Sequence, residues 1–265
     1  MGCYKKDGIQ TDVTCWDRLW HERREKRHLI DLETDPIYKL LEYFVPQPDS
    51  SIIEIGCGEV LRTLNFAKQH GLETTLFDYS AVALKLAVEN AGDLGVMVDT
   101  INGDLLNNSL DSDSYDIVWS ADLHEHFGGE DRQRAFDEMY RICKPGGTGI
   151  VIVPNSLNLP YRLTKKFKET LKKWPYGYEE PFSRWEMSDR MHKSGFKDVE
   201  TVGIGALLSM YRWFLHGTSY ANRFLKNPTP FKSLNEHLQR IDLDISTGNY
   251  LNNIFGRELG SRGIK

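Results

Sequence analysis

The sequence predicts an α/β fold, in which a doubly wound, mostly parallel sheet of seven strands carries helices on both faces. Short apolar runs typical of strands alternate with amphipathic segments typical of helices through the middle of the 265-residue chain. This alternation is the pattern of β-α-β units. Glycines and acidic residues follow several of the predicted strands, at the edge where parallel sheets bind ligands. An ordinary hydrophobic content of 40% is consistent with a globular domain.

Seven strands and four helices make up this predicted core. The strands are expected at 51–55, 74–77, 96–101, 116–120, 148–153 and 196–202, with a seventh at the end of the chain. The first helix ends at Gly71, and Ser80 is the N-cap of the second. The third covers 131–143 and is followed by the turn Lys144-Pro145-Gly146-Gly147. A capping box of Ser183 and Glu186 begins the fourth.

Three segments lie outside this alternation. Residues 1–45 are predicted to form a helical N-terminal segment, rich in aromatic and charged residues. The remaining residues, 46–265, form the main domain, with helical insertions at about 155–182 and 206–250. Because binding specificity usually resides in such segments, we expect them to surround a ligand.

Residues suited to bind a nucleoside follow four of the predicted strands. Glycines in the run Glu54-Ile55-Gly56-Cys57-Gly58 allow a ligand to approach the backbone closely. Asp78 can accept hydrogen bonds from two ribose hydroxyls, and Asp104 can accept one from an adenine amino group. Ser120-Ala121 follows the fourth strand. Together these four strand ends predict one binding crevice.

These motifs resemble those of the class I S-adenosylmethionine-dependent methyltransferases, which have a Rossmann-like fold. Tyr115–Ser120 and Lys144–Gly147 also match the family, so that the resemblance covers residues 50–154. One departure is Val60, which stands where the family often has a third glycine. The resemblance implies S-adenosyl-L-methionine as cofactor, S-adenosyl-L-homocysteine as product, and in-line methyl transfer to a small-molecule acceptor. The cofactor-binding residues that it implies are Glu54, Gly56, Cys57, Gly58, Asp78, Tyr79, Asp104, Leu105, Ser120 and Ala121.

Catalytic and acceptor-binding candidates lie beside these motifs. His124 and His126 follow the fourth strand and could accept a proton near neutral pH, although a structural role is the alternative for both. Family members often fold an N-terminal lid over the site, which makes 1–45 a lid and Trp16, Trp20 and Arg24 acceptor-binding candidates. Tyr161 and Tyr178, at the two ends of the first insertion, are predicted to wall the acceptor pocket. No cysteine or histidine spacing predicts a metal site.

Two other functions stay open. Lysines between 165 and 173, spaced with apolar residues at helical intervals, would suit a methyltransferase acting on a lipid or quinone at a membrane surface. A non-catalytic S-adenosylmethionine-binding module would need the same strand ends. A nicotinamide dinucleotide is disfavoured because the third glycine of its fingerprint is missing. The net charge of −5 argues against nucleic acid. With no long apolar run and no disulfide framework, we expect a cytoplasmic protein; the oligomeric state is not predicted.

Overall fold

A computed structural model confirms the predicted fold class. The residues that it describes are 12–24, 31–45, 51–58, 60–206 and 250–265. Its centre is a seven-stranded sheet with the order β3-β2-β1-β4-β5-β7-β6. The strands are β1 Ser51–Ile55, β2 Glu73–Asp78, β3 Val98–Asn102, β4 Tyr115–Ala121, β5 Cys143–Pro154, β6 Lys197–Ile204 and β7 Glu258–Ile264. The first five pair in parallel, whereas β7 runs antiparallel to both β5 and β6.

Helices cover both faces of the sheet. The described helices are α1 Val13–Arg24, α2 Pro36–Phe44, α3 Leu61–His70, α4 Ala81–Leu94, α5 Asp131–Ile142, α6 Leu159–Thr170, α7 Arg184–Ser194 and α8 Tyr250–Phe255. On one face α5 and α7 bury Phe136, Met139 and Met191 against Val118 and Val151 of the sheet. On the other face α2, α3 and α4 form two further apolar clusters.

Helix α2 belongs to the core and is not part of a lid. Its N-cap, Asp35, accepts a hydrogen bond from the Tyr38 amide, and Leu40, Leu41 and Phe44 are buried against the sheet. The contact is close, since a Cβ added to Gly260 of β7 would lie 2.5 Å from the Phe44 ring. Among the described residues of the predicted lid over 1–45, α1 lies over the crevice, whereas α2 packs in the core. The domain boundary at residue 45 stays a prediction.

The turn Lys144–Gly147 is part of strand β5 rather than a break before it. Cys143 pairs with Tyr115 of β4, and the Gly146 amide donates to the Lys265 carbonyl at 3.0 Å. These bonds occupy the backbone groups of the turn, so β5 begins five residues earlier than the sequence predicts.

Both predicted insertions leave the sheet from its crevice edge. The first is closed by a bridge between Asn155 and Phe182. It contains α6, which buries none of its side chains. The second lies almost wholly outside the described residues, but its two ends meet where the Ala206 amide donates to the Asn252 side chain at 2.9 Å. Within the described ranges, no helix has the length and apolarity needed to cross a membrane.

Candidate cofactor and acceptor site

Two adjoining cavities lie where the strand order reverses between β1 and β4. A smaller cavity of about 100 Å³ extends towards β2 and β3. A larger one of about 220 Å³ extends towards α6 and β7. Both are lined by Gly56, Asp122 and His126, and α1 covers their junction with Trp16 and Trp20. Carboxyl ends of strands at such a reversal are the usual ligand-binding edge of an open α/β sheet.

The turn after β1 requires glycine. Gly56 and Gly58 have φ of +71° and +50°, in the left-handed region that side chains disfavour. The Gly56 amide donates to the Phe77 carbonyl at 2.8 Å, which ties the turn to β2. A Cβ on Gly58 would lie only 2.6 Å from the Trp20 ring. Gly58 therefore presents bare backbone at this point, and the Trp20 ring now lies against it.

Val60 shows why the family often has a third glycine at this position. Its φ of +59° is left-handed, an unfavourable conformation for a β-branched residue. The residue precedes α3, its side chain is buried, and it lines the larger cavity. The backbone thus keeps the path that glycine would take, and the valine side chain adds apolar contact at the cost of strain.

Asp78 organises the smaller cavity. Its two carboxylate oxygens accept hydrogen bonds from the Gly58 amide at 3.0 Å and the Ser80 amide at 2.8 Å. Burial raises the pKa of Asp78 to about 6, although both backbone bonds act to lower it. Each oxygen has a further lone pair for a ligand hydroxyl.

Three other predicted cofactor residues line the same cavity. Tyr79 is partly exposed at its rim, and Leu105 is buried in its wall. Asp104 is held by a hydrogen bond from the Leu106 amide to its carboxylate at 3.0 Å. The loop before them is fixed by Asn102, whose amide donates to the carbonyls of Asp78 and Tyr79. Asn102 was not predicted from the sequence.

Glu54 and Cys57 line the larger cavity. Glu54 accepts a hydrogen bond from the Thr63 hydroxyl at 2.5 Å, and Thr63 in turn accepts one from the Trp119 indole at 3.1 Å. Burial raises the pKa of Glu54 to about 8. Burial also raises the pKa of the Cys57 thiol, which is therefore protonated.

Ser120 and His124, predicted to bind the cofactor and to act in catalysis, lie away from both cavities. Neither residue lines a cavity, and both are completely buried on the α5 side of the sheet. The Ser120 hydroxyl lies 3.0 Å from His124 Nδ1, and the His124 ring packs on Phe136. Burial lowers the pKa of His124 to about 3, so it is neutral. Side chains alternate along β4, so Ala121 lines the larger cavity where Ser120 does not.

His126 is the histidine that faces the site. It lines both cavities, and its ring meets Trp16 edge to face at 4.9 Å. Nδ1 lies 2.6 Å from the Tyr178 carbonyl, which assigns the ring proton to Nδ1. Burial lowers the pKa of His126 to about 4. The ring is therefore neutral, and Nε2 is left with an available lone pair.

Comparison with known proteins gives a consistent result. A family model described as a methyltransferase domain matches residues 52–147. The chain is similar to phosphoethanolamine N-methyltransferase of Plasmodium falciparum, 22% identical over 67% of this chain and 66% of the relative. It is also similar to indolepyruvate C-methyltransferase of Streptomyces griseus, 30% identical over 44% and 36%. Among solved structures, a Thermotoga maritima methyltransferase described as a possible histamine N-methyltransferase matches with a TM-score of 0.60 and 20% identity, covering 96% of this chain and 99% of that one.

Residues 52–147 of the chain thus form a methyltransferase domain, and its fold is that of solved S-adenosylmethionine-dependent methyltransferases. The family's cofactor is S-adenosylmethionine. The chain spans less than two thirds of the length of the first curated relatives that it matches.

The acceptor-binding residues predicted for this methyltransferase fall into three groups. Trp16 and Trp20 line both cavities, and Tyr161 lines the larger one. Tyr178 lines neither, since its hydroxyl donates to the Glu180 carboxylate at 2.7 Å, and its role in acceptor binding stays a prediction. Arg24 is the last residue of α1, and its side chain lies outside the described part. Helix α1 is attached near the cofactor turn by a 2.6 Å hydrogen bond from the Ser80 hydroxyl to Asp17.

Several residues of the larger cavity were not predicted as site residues. Glu125 lies between the two histidines, in a 3₁₀ turn over 124–126. Glu179 and Trp174 come from the first insertion, and Glu258 is the first residue of β7. Only Glu125 had a sequence signal, namely its place beside the fourth strand. No local motif marks the others, because the antiparallel return of β7 brings Glu258 to the site.

Proposed function

We propose that the protein transfers a methyl group from S-adenosylmethionine to a small-molecule acceptor. The observation that supports this most is the meeting of two cavities at Gly56, Asp122 and His126. One cavity has the strand-end residues that suit a nucleoside, and the other adjoins it and offers space for a second ligand. In-line transfer of a methyl group between two bound molecules needs this arrangement, with the two ligands side by side and water excluded.

The chain's residues fit the cofactor. Asp78 would bind the ribose hydroxyls, while Asp104, Leu105 and Tyr79 would surround the adenine. The methionine end would lie along Gly56 and Gly58, where no Cβ blocks its approach. Burial raises the pKa of Glu54, and the ammonium group of the cofactor would favour its ionised form. Bound here, S-adenosylmethionine supplies an activated methyl group on a sulfonium.

The protein's own side chains would exclude water and accept a proton. Trp16 and Trp20 close the junction from above and exclude water. Neutral His126 presents Nε2 towards both cavities and can accept a proton from an acceptor that arrives protonated. Because the Trp20 ring lies against Gly58, the methionine end can reach this backbone only if the ring moves. We infer that α1 shifts when the cofactor enters.

The relatives support a small-molecule acceptor without deciding the atom. One is named for a nitrogen of phosphoethanolamine and another for a carbon of indolepyruvate. Part of the larger cavity's wall, namely Tyr161, Trp174, Tyr176, Glu179 and Glu258, lies outside the region that the family model matches. The side chains of this cavity, rather than the shared family motifs, must therefore specify the acceptor.

Calorimetric titration with S-adenosylmethionine tests the proposal. Wild type should bind, and Asp78→Ala should lose affinity by about a hundredfold, since two charged hydrogen bonds of about 1.5 kcal/mol each are removed from the turn and the ribose. Asp99→Asn is the matched control, because Asp99 is an exposed acid on the neighbouring strand β3. Failure of well-folded wild type to bind would reject the proposal. S-Adenosylhomocysteine release with any acceptor would exclude a non-catalytic binding module.

Helix α6 supports a second candidate, a lipid or quinone acceptor at a membrane surface. Leu163, Phe167 and Leu171 are exposed along one side, and lysines lie between them. An amphipathic basic helix of this kind can bind anionic bilayers. Sedimentation with vesicles containing phosphatidylserine tests it. Protein that stays in the supernatant would remove this candidate and would leave the predicted cytoplasmic small-molecule enzyme.

A further inference from the structure

The larger cavity is walled by acids from four separate parts of the chain. Asp122 follows β4, Glu125 lies in the 3₁₀ turn, Glu179 lies between α6 and α7, and Glu258 begins β7. With Glu54 of β1, five carboxyl groups line one space. No set of three metal-ligating side chains in the described ranges is arranged to hold a metal ion. The acids therefore surround the cavity without converging on a point.

Two of these acids are buried without full pairing. Glu125 and Glu258 are 1% and 4% exposed. Within the part of the chain that the structure describes, Oε2 of each has no hydrogen-bond partner, and neither has the buried Tyr161 hydroxyl oxygen. An unpaired buried carboxylate is costly to a protein unless a ligand satisfies it. All three residues, Glu125, Glu258 and Tyr161, belong to the wall of the larger cavity.

The cationic side chains around the cavity already have partners. Arg62 donates twice to Asp35, at 2.8 and 2.9 Å. Arg257 lies 3.0 Å from Glu258 Oε1, which leaves Oε2 of the same carboxyl group unpaired. Lys165, on α6 near His126, pairs with Glu169. The described wall of the cavity thus has more acidic than basic side chains, and its basic ones are already paired.

Aromatic rings complete the wall. Trp174 meets Tyr161 at 6.3 Å and Tyr176 at 5.3 Å, in both cases edge to face. The Trp174 indole donates to Glu179 Oε2 at 3.1 Å, so the acid and the aromatic group are fixed together. Trp16 and Trp20 face them from α1. Carboxylates among aromatic faces are the surroundings that bind ammonium groups by charge and by cation–π attraction.

We propose that the methyl acceptor is a small primary or secondary amine, whose ammonium form binds between Glu125, Glu258 and the aromatic wall and is methylated on nitrogen. This rests on the proposed function. The bound ammonium first gives one proton to a carboxylate of the cavity wall. The freed nitrogen lone pair then forms the bond to the methyl carbon, the sulfur–methyl bond breaks, and its electron pair stays on sulfur. The methylated ammonium leaves with its positive charge.

The acidity of the cavity supports this assignment. Burial raises the pKa of Glu258 to about 7 and that of Glu179 to about 8, and the neighbouring Asp122 raises both further. Burial likewise raises the pKa of Glu125. Such groups can exchange a proton near neutral pH, and a bound cation would favour their ionised forms.

The test uses tetramethylammonium, a cation that cannot be methylated, and neopentyl alcohol, a neutral molecule of similar shape with one added hydroxyl group. S-Adenosylhomocysteine is first titrated into wild type, which tests the proposed function separately. With that ligand saturating, the cation should bind at least tenfold more tightly than the alcohol. Glu125→Gln and Glu258→Gln should each lower the affinity for the cation about tenfold and leave the affinity for the alcohol unchanged. Glu73→Gln, an exposed acid at the far end of β2, is the control and should match wild type.

Both Gln variants replace a buried, incompletely paired acid by an amide of nearly the same volume, so their melting temperatures should stay close to that of wild type. Equal binding of cation and alcohol, or no cation binding while S-adenosylhomocysteine binds, would overturn the inference and leave the proposed function standing. S-Adenosylhomocysteine release with butanol or butyrate but not with butylamine would overturn it as well. No binding of S-adenosylhomocysteine would reject the proposed function itself.

Discussion

The two cavities differ in how their polar groups are satisfied. In the smaller cavity, Asp78 and Asp104 are held by backbone amides of their own loops. In the larger cavity, Glu125 and Glu258 are buried with one oxygen each left unpaired among the described residues. The polar groups of the smaller cavity are thus in place before any ligand arrives. In the larger cavity, the unpaired buried oxygens cost free energy, and a ligand that pairs with them can remove this cost. The difference suits a constant cofactor beside an acceptor that must be selected.

The largest effect on stability and cofactor binding is expected for a substitution at Gly58, in the cofactor turn. Gly58→Ala places a Cβ in a left-handed conformation and 2.6 Å from Trp20. We expect it to destabilise the protein by about 2 kcal/mol and to abolish cofactor binding. In Gly58→Ala/Trp20→Ala the clash is relieved but the backbone strain stays, so only part of the stability should return. Urea unfolding of the four proteins measures this coupling. Strict additivity would show that Trp20 does not lie on Gly58.

An intermediate effect is expected in the pH dependence of stability, to which the buried acids of the larger cavity should contribute. Burial raises the pKa of Glu179 to about 8, above the ordinary 4.5. A carboxyl group whose pKa is raised by folding stabilises the fold below its unfolded pKa, and this contribution is lost as pH rises to the folded value. His124 and His126, whose pKa values are lowered, act in the opposite sense, but only below about pH 6.5.

Between pH 6.5 and 8, stability of the ligand-free protein should therefore fall with rising pH. Each such acid contributes up to about 1.4 kcal/mol per pH unit. Glu179→Gln, which keeps an acceptor for Trp174, should give a shallower decline than wild type, as measured by urea unfolding at several pH values. Glu73→Gln should reproduce the wild-type slope, since its side chain is exposed. Identical slopes for all three would place the titrating groups elsewhere.

The smallest effect is expected at Val60, which lies at the edge of both regions. Val60→Gly relieves left-handed strain of about 1–2 kcal/mol and removes a buried side chain of about the same value. The free energy of unfolding should change by less than about 1 kcal/mol. Val151→Gly, at a fully buried strand position with no such strain, should cost several kcal/mol. A comparable loss at Val60 would mean that its backbone is not strained in solution.

The same contrast explains what could be predicted from the sequence. Gly56, Gly58 and Asp78 stand at ends of consecutive strands, so their chemistry and their meeting point follow from β-α-β connectivity alone. Glu258 reaches the site through the antiparallel return of β7, which no local pattern specifies. Helix α2 resembles an amphipathic lid in sequence, because burial against the sheet and against a ligand requires the same apolar stripe.

Side-chain direction was the second obstacle. Ser120 and Ala121 are neighbours, and only their register in β4 decides which of them faces the cavity. His124 and His126 likewise lie two residues apart, and the 3₁₀ turn sends one into the core and the other to the site. Tyr176 lines the cavity while Tyr178 bonds Glu180 at the surface. Residue type predicted the chemistry in each case, but orientation needed the three-dimensional structure.

The hydrogen bond between the Ala206 amide and Asn252 makes the second insertion a natural graft point. The stem is tightly packed here, since a Cβ on Gly203 would lie 1.9 Å from the Asn252 carbonyl. Whatever chain joins these two ends, β6, β7 and Glu258 keep their places. Doubling the length of such a segment costs only about 0.6 kcal/mol in closure entropy. Relatives could therefore exchange this segment and acquire new acceptors while the catalytic sheet stays unchanged.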